Sequence, residues 1–280
     1  MIIEVVKMDF IELVRKEALR RGYSIRTIKT YQDCLRKFFR TCHKEPKKVT
    51  KKDVTDYLDQ LVERNKAGST LNVYLSALNF LFLDVLNKKL LVNIRYSRKP
   101  KRLPEVLNKE ELVKLFEAIS NKKHQLMVLL MYSAGLRVSE MLNLRVRDFD
   151  FTTNLGIVRD GKGGKERFFL ISERLKPDII NWFKDNGLKN DSFLFNSYQG
   201  RMSASTVRMI LKKSAQKAGI KRRVHPHLMR HCFGTDVVKD GHTEAELQPL
   251  MGHNSIETTR GYVHVANAQM TKVKSPFDNL

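Results

Sequence analysis

Three kinds of feature are scarce in this chain: cysteine, long apolar runs and acidic side chains. The three cysteines, Cys34, Cys42 and Cys232, form no Cys-x-x-Cys pair. An odd and scattered set argues against a disulfide framework and favours reduced thiols. No run of 18 apolar residues occurs, and the amino-terminal segment becomes charged too early for a signal sequence. These absences predict a soluble, cytoplasmic protein without a membrane partner.

The shortage of acidic residues leaves the chain strongly basic. Lysine and arginine total 52 against 30 aspartates and glutamates, a net charge of +22 in 280 residues. Such an excess is typical of proteins that bind a polyanion by displacing its counterions. The charged surface of a thermophilic protein is an alternative, but it adds both signs in pairs. A 42% apolar composition excludes a disordered chain, and the length allows two domains.

The region before residue 94 is predicted to form four amphipathic helices. Gly22 is placed to end the first, Pro46 breaks the chain after the second, and Thr50 is placed to cap the third. Basic residues on the outer faces could contact phosphates or simply face solvent. We interpret residues 1–94 as a DNA clamp. Apolar residues at helical spacing define the inner faces: Phe10, Leu13, Val14 and Leu19; Ile28, Tyr31, Leu35, Phe38 and Phe39; Val54, Tyr57, Leu58 and Leu61; Leu71, Tyr74, Leu75, Leu78, Leu81, Phe82 and Val85.

A basic linker and a second domain follow. Residues 95–104 hold five cations, two prolines and no acid, which favours an extended segment that could cross a phosphate backbone. Asn108 then has the position of a helix cap, with Glu111 three residues later. We therefore place a domain at residues 105–265 and a short tail at residues 266–280.

Helices alternate with one short hairpin in this second domain. An apolar helix ends at Gly135, and Arg137 could either neutralise helix carbonyls or act on a substrate. Two short runs, residues 156–159 and 167–171, flank a glycine-rich turn and indicate an antiparallel hairpin. Lys162 at its tip could reach a phosphate or face water. The expected fold class is mainly α: a four-helix N-terminal domain, and an α-rich second domain with a small antiparallel β-sheet.

The stretch from His225 to His264 gathers groups that can move protons beside a guanidinium and a phenol. Pro226 suits the first turn of a helix, so His227, Arg230 and His231 project from one face. Such a set of side chains needs an anionic, reacting substrate.

Two further elements can bring groups to the same place. Gly252 is placed to end a helix, which puts His253 just past the helix terminus. Ser255 can cap another helix that carries Tyr262 about two turns in. The pattern therefore predicts one pocket built from three elements.

Two other interpretations of these residues remain open at this point. His227, His231 and Cys232 could bind zinc, although consecutive positions point to different helix faces and no second pair has finger-like spacing. The histidines could also be caps and core groups of a non-catalytic DNA-binding protein. That reading explains the charge and the helices but not the convergence of Arg230, His227, His253 and Tyr262.

Five segments of the second domain resemble the signature of the tyrosine recombinases, a phage-integrase-like family. Their order and spacing are similar to the Xer group, including its archaeal branch, and the N-terminal helices resemble that family's SAM-like core-binding domain. Met229 and Met251 stand where leucine is usual, Pro249 is an unusual neighbour, and Val263 replaces a common threonine. The segments are Ala134-Gly-Leu-Arg-Val-Ser-Glu140, Gly161-Lys-Gly-Gly-Lys-Glu-Arg167, His227-Leu-Met-Arg-His231, Met251-Gly-His253 and Tyr262-Val-His264.

The resemblance implies a role for each of six residues. Tyr262 would attack the scissile phosphate, and Arg137 and Arg230 would hold its non-bridging oxygens. His227 would be the general base, with Lys162 (or Lys165) as the acid and His253 as a further phosphate donor. The covalent link would conserve the bond energy, so neither a cofactor nor a metal would be needed.

The same resemblance implies a site-specific DNA recombinase that works through a 3′-phosphotyrosyl intermediate and a Holliday junction. We expect it to resolve chromosome dimers, with integration or excision of a mobile element and architectural DNA binding as alternatives. The expected partner is double-stranded DNA with paired recombination sites. A homotetramer is expected on DNA, and a monomer or dimer when free. The tail could contact a neighbouring subunit or be a frayed terminus.

Overall fold

The structure, a computed structural model, describes residues 2–90, 92, 106–159, 166–197, 200–252 and 275–279. The chain divides into two compact units, Met1–Leu103 and Pro104–Leu280. The predicted linker, residues 95–104, lies outside the described residues. None of the helices in the described parts combines the length and apolar character needed to cross a bilayer.

The described part of the N-terminal unit contains four α-helices, as predicted. Ser24 caps α2 by accepting a hydrogen bond from the Thr27 amide, and Thr50 and Asp53 form a capping box at α3. Gly22 has φ +69 immediately after α1, the left-handed conformation that ends a helix. The helices are α1 (Ile2–Arg20), α2 (Ile25–Cys42), α3 (Lys51–Glu63) and α4 (Gly68–Asn79).

The fourth helix ends differently from the prediction. Its apolar pattern predicts one helix through Val85, whereas the structure changes to a π-helical turn at Phe80–Val85. Three consecutive residues, Phe80, Leu81 and Phe82, are buried there. Burial of consecutive residues departs from the spacing of a single apolar stripe, and here it coincides with the wider turn.

The C-terminal unit is built around one helix that is buried over most of its length. Its described α-helices are α5 (Lys109–Glu117), α6 (Lys122–Ser133), α7 (Val138–Asn143), α8 (Lys176–Asp185), α9 (Ala204–Lys217), α10 (Pro226–Lys239) and α11 (Glu244–Met251). Every residue of α6 from Leu126 to Ser133 is buried, as expected of a helix enclosed on all sides. The predicted cap at Asn108 is present as a capping box with Glu111.

A three-stranded antiparallel sheet lies beside these helices. Its strands are β1 (Phe149–Asp150), β2 (Leu155–Val158) and β3 (Arg167–Leu170), in the order β1-β2-β3. The predicted hairpin is confirmed in its two strands, and its tip at residues 160–165 lies outside the described residues. Gly156 faces Phe169 so closely that a β-carbon would come within 2.0 Å of the ring. A two-stranded ribbon, β4 (Asn196–Ser197) with β5 (Gly200–Arg201), and strand β1 were not predicted.

The end of the chain packs on the unit from which it comes. Ser275 is buried and donates a hydrogen bond from Oγ to the Ser133 carbonyl at 2.8 Å. The Phe277 ring, 8% exposed, lies 6.0 Å from the Phe116 ring between centroids. Residues 275–279 are therefore not a frayed terminus, and residues 266–274 of the predicted tail lie outside the described residues.

Candidate active site

Helix α10 places one arginine inside the protein and two histidines at its surface. Pro226 occupies the first turn, as predicted, and the His225 ring caps the helix by accepting a hydrogen bond from the Leu228 amide. The rings of His227 and His231 lie 4.8 Å apart between centroids. Arg230 is only 1% exposed. The predicted spacing therefore produces a buried guanidinium beneath an accessible imidazole.

A second arginine approaches from the start of α7. Arg137 precedes this helix, and its Nη1 donates to Oε1 of Glu140 at 2.5 Å. The Glu140 carboxylate also accepts a hydrogen bond from the Arg137 backbone amide at 2.9 Å. Nη1 of Arg230 lies 3.8 Å from Oε2 of the same carboxylate. Glu140, which is 2% exposed, thus bonds to Arg137 and lies near Arg230, so both predicted phosphate-binding arginines are in one place.

The last turn of α11 is the other point where these arginines meet. Nη2 of Arg137 donates to the Gly252 carbonyl at 3.3 Å and approaches the Met251 carbonyl at 3.5 Å. Arg230 also donates to the Met251 carbonyl. The carbonyl end of a helix carries partial negative charge, so it attracts guanidinium groups. This geometry is compatible with both interpretations of Arg137. The side chain donates to helix carbonyls, and it also lines a cavity in which a substrate could bind.

Charge in this cluster is shaped by burial. Burial alone would raise the pKa of Glu140, but Arg167 and Arg137 outweigh it and lower that pKa, so the group is a carboxylate at neutral pH. Burial, with Arg137 and Arg167 nearby, lowers the pKa of Arg230 to about 9. The guanidinium consequently remains charged at neutral pH.

The imidazole at the surface has the protonation state that a base requires. Burial lowers the pKa of His227 below 6.5, and the neighbouring His231 and Arg230 lower it further. His227 is therefore neutral at pH 7 and can accept a proton.

A cavity of about 460 Å³ opens beside these groups. Two exposed arginines, Arg208 and Arg223, add positive charge to the wall that Arg137 and His227 provide. An anionic strand fits this lining better than a neutral small molecule does. The lining residues are Arg137, Val138, Ser139, Arg208, Arg223, His225, Pro226 and His227.

Three of the six predicted site residues lie outside the described residues: Lys162, His253 and Tyr262. Lys165, the alternative acid, lies outside them too. The structure does show the elements that lead to two of them. Strands β2 and β3 flank the segment that carries Lys162, and α11 ends at Gly252, immediately before His253, with a left-handed φ of +53 as predicted.

Sequence reasoning missed two residues of this site, Glu140 and Arg167. Both residues lie in segments that resemble the family signature, but the resemblance implied no role for either of them. The spacing of Glu140, three residues after Arg137, is a capping-box spacing and was the available signal. Nothing local to Arg167 indicates its partner, which lies 27 residues away.

The zinc interpretation finds no support in the geometry. Cys232 is buried on another face of α10, where its sulfur accepts a hydrogen bond from the Leu107 amide at 3.3 Å. Among the described residues, no three His, Cys, Asp or Glu side chains could together hold a metal ion.

Family models match both units of the chain. The model described as phage integrase family matches residues 105–269. The model described as phage integrase, N-terminal SAM-like domain, matches residues 10–91. The matches span the two predicted domains and contain all six predicted site residues.

Similar proteins extend over nearly the whole chain. Tyrosine recombinase XerA of Pyrococcus horikoshii is 33% identical over 275 residues, which covers 95% of this chain and 93% of the relative. A tyrosine recombinase of Thermosipho africanus is 31% identical over 263 residues, covering 89% and 92%.

Solved structures share the fold. The crystal structure of a XerA recombinase matches with a TM-score of 0.51 at 26% identity, covering 95% of this chain and 96% of that one. XerH recombinase bound to its difH substrate in a pre-cleavage complex matches with a TM-score of 0.67 at 23% identity, covering 91% and 82%.

Proposed function

The chain belongs to the phage integrase family and is a tyrosine-type site-specific recombinase, and on that premise we propose that Tyr262 cleaves DNA by attacking a scissile phosphate. The phenolic oxygen forms a bond to phosphorus while the bond from phosphorus to the 5′ oxygen breaks. The 3′-phosphotyrosyl link keeps the energy of the broken bond, so the reverse attack by another 5′ hydroxyl rejoins strands without ATP.

The convergence of Arg137 and Arg230 on Glu140 is the observation that carries this proposal. Arg137 lines the cavity and bonds to this buried carboxylate, and Arg230 lies buried with Nη1 3.8 Å from the same carboxylate, so both guanidiniums have fixed positions. Charge that develops on two non-bridging oxygens is stabilised best by donors that need no reorganisation. Lysine offers a point charge without the planar fork, so arginine suits this role better.

Proton transfer is assigned to the remaining groups. His227 takes the phenolic proton from Tyr262, since its lowered pKa leaves it neutral. Lys162 gives a proton to the departing 5′ oxygen, with Lys165 as the alternative donor. His253 donates a further hydrogen bond to the phosphate.

The substrate of this reaction is double-stranded DNA with paired sites. Residues 1–94 and residues 105–265 each bind the duplex, with the basic segment 95–104 between them, and the net charge of +22 supplies the attraction to phosphates. A homotetramer assembles on two sites and exchanges strands through a Holliday junction. The free protein is a monomer or dimer in the cytoplasm.

Resolution of chromosome dimers is the biological role we favour. The XerA relative is similar through both units at 33% identity, whereas the likeness to the Tn1549 transposon integrase, at 20% identity, is a likeness of fold. Integration or excision of a mobile element uses the same chemistry. Footprinting on genomic DNA, followed by strand transfer on the protected fragment, separates these roles.

A nicked suicide substrate tests the chemistry. The wild-type chain should form a covalent protein–DNA adduct, and Tyr262→Phe should bind the same DNA but form none. An adduct that survives in Tyr262→Phe would show that another residue is the nucleophile. If the wild-type chain binds without forming an adduct, the protein is an architectural DNA-binding protein.

Arg230→Lys tests the role of the buried guanidinium. The cleavage rate should fall roughly 100- to 1,000-fold, as expected when one preorganised donor is lost. The DNA affinity should change far less, because other basic residues bind the duplex. Equal losses in rate and affinity would indicate a binding role for Arg230 and not a catalytic one.

A further inference from the structure

A third arginine, Arg167, is buried against the cluster that holds Arg137 and Arg230. It is the first residue of β3, and its side chain is only 6% exposed. Removing a guanidinium from water is costly unless its surroundings compensate for it. The proposed mechanism gives Arg167 no role, although its charge lies close enough to Arg230 to lower that residue's pKa.

The contacts of Arg167 reach three elements at once. Its Nη2 donates to Oε2 of Glu140 on α7 at 2.6 Å. Its Nη1 donates to the Leu250 carbonyl in the last turn of α11, and to the Phe168 carbonyl on β3 at 3.1 Å. A planar fork with separate donors can make these bonds together, whereas a single ammonium on a flexible stem cannot.

The glycine at the end of α11 makes room for this side chain. A β-carbon on Gly252 would lie 2.7 Å from Cδ of Arg167, closer than two carbons can pack. Gly252 also has the left-handed φ that ends the helix. Arg167 and Gly252 therefore fit together at the point where the chain leaves α11 toward His253.

The charge balance of the cluster changes if Arg167 is removed. Three guanidiniums, from Arg137, Arg167 and Arg230, surround one carboxylate, so the formal charges of these four side chains sum to two positive charges. A phosphodiester carries one negative charge, and the pentacoordinate state formed by attack carries a second. The cluster is thus matched in charge to the state that must be stabilised.

The two oxygens of Glu140 bond to Arg137 and Arg167, whereas Nη1 of Arg230 donates to the Gly135 carbonyl at 2.6 Å. Oε1 bonds to Arg137 at 2.5 Å, and Oε2 bonds to Arg167 at 2.6 Å, while Arg230 remains at 3.8 Å from Oε2. Without Arg167, Oε2 would lose its shortest side-chain partner. The guanidinium of Arg230 would then be drawn toward the carboxylate and away from a bound phosphate.

We infer that Arg167 is a positioning residue for strand cleavage, which keeps Arg230 from closing on Glu140 and fixes the last turn of α11 relative to β3 and α7. This inference rests on the proposed function. Arg167 does not touch the substrate; it acts through Glu140 and through the Leu250 carbonyl.

Single-turnover cleavage of a saturating nicked suicide substrate tests this role, together with DNA affinity and the thermal midpoint. Arg167→Gln should lower the cleavage rate about 100-fold, since a displacement of about 1 Å at a reacting centre has that effect. Arg167→Lys keeps the charge but not the fork, so it should recover part of the loss. The DNA dissociation constant should change less than about threefold, because no phosphate contact is removed.

Tyr132→Phe is the matched control. It removes a buried hydrogen bond, 2.9 Å from the Tyr132 hydroxyl to Asp236, in the same unit but outside the arginine cluster. It should lower the thermal midpoint as an Arg167 variant does, yet leave the cleavage rate at saturating DNA within about twofold of wild type. A rate loss confined to the Arg167 variants would separate positioning from stability.

The results that would contradict a positioning role for Arg167 differ from those that would contradict the proposed function. If a folded Arg167 variant cleaves as fast as wild type while Tyr262→Phe forms no adduct, the inference fails and the function stands. Failure of both Arg167 variants to fold would assign the residue to stability alone and would overturn the inference too. If wild type forms no adduct, the proposed function fails first.

Discussion

The N-terminal unit buries aromatic and aliphatic side chains, whereas the C-terminal unit also buries charge. All nine buried polar or charged side chains found among the described residues belong to the C-terminal unit, and five of them are acidic or basic. The N-terminal interior is instead a series of ring contacts, such as Phe38 against Tyr57 at 5.1 Å between centroids. Each unit is large enough to form a core, so size does not explain the difference.

The difference indicates that the C-terminal unit contains buried charged groups that do not maximise its stability. Asp148 and Asp236 have partners in Arg159 and Tyr132 that explain them as structural groups. Glu140, Arg167 and Arg230 instead form a group with excess positive charge. A buried ion pair is seldom more stabilising than apolar packing, so such a group points to the requirements of a substrate.

Among the stability changes that distinguish the two units, the largest should come from neutralising Glu140. Glu140→Gln leaves three guanidiniums near one another without a carboxylate, and it should destabilise the C-terminal unit by about 3–5 kcal/mol. The only tryptophan, Trp182, donates from Nε1 to the Leu194 carbonyl inside that unit. Its fluorescence during urea unfolding therefore reports the unit that carries the mutation.

Asp53→Asn provides the matched control for Glu140→Gln. Asp53 is also a capping-box carboxylate, but it serves α3 in the N-terminal unit. Its loss should cost about 1 kcal/mol, as is usual for a cap. A Glu140→Gln variant no less stable than Asp53→Asn would mean that the buried arginines do not depend on the carboxylate.

Shortening Phe277 should have the next largest effect. The core of the C-terminal unit includes Phe277, which is far along the chain from its partner Phe116, whereas the core of the N-terminal unit forms within residues 10–92. Phe277→Ala should destabilise the C-terminal unit by roughly 3 kcal/mol, measured by Trp182 fluorescence. Val238→Ala, at a 51% exposed position, should change stability by less than about 0.5 kcal/mol.

The two units also differ in how far their structures could be predicted. Helical spacing predicted the N-terminal helices, but it missed the π-turn at Phe80, because consecutive burial breaks the period that the prediction uses. It was also wrong in assigning Leu13 and Leu19 to an inner face, since they are 42% and 40% exposed. In the C-terminal unit, local signals correctly placed the cap at Asn108 and the helix stop at Gly252. Local signals work there because a cap and its partner are three residues apart.

The buried cluster could be predicted only in part. The spacing of His227 and Arg230 predicted a shared helix and a functional role. It could not show that Arg230 would be enclosed while His227 stayed at the surface. The partnership of Glu140 with Arg167, and of Phe277 with Phe116, joins residues far apart in the chain. Such contacts depend on how helices pack, which periodicity does not specify.

Lowering the pH should slow cleavage, because acid protonates His227 and removes the base. Near neutral pH the cleavage rate should depend little on pH. The pKa of His227 lies below 6.5, so the neutral base dominates above that value and the cleavage rate should be level there. Below the lowered pKa of His227, the rate should fall about tenfold per pH unit. Single-turnover cleavage from roughly pH 5 to 8 measures this limb.

Replacing His231 sharpens the assignment of this acid limb. After burial, His231 is the next largest cause of the lowered pKa of His227. His231→Gln should therefore move the limb toward higher pH without removing it. The acid side of the pH–rate profile would belong to another group if it kept its position in His231→Gln and persisted in His227→Gln.

The smallest effect should come from a surface ion pair of the N-terminal unit. Arg36 and Asp33 lie 2.9 Å apart on α2, with side chains 49% and 65% exposed. Solvent and salt screen such a pair, so Asp33→Asn should change the unfolding free energy by less than about 0.5 kcal/mol in circular dichroism. The same chemical change at Glu140 should cost several times more. If the two substitutions had equal effects, burial would not be what distinguishes the carboxylates of the two units.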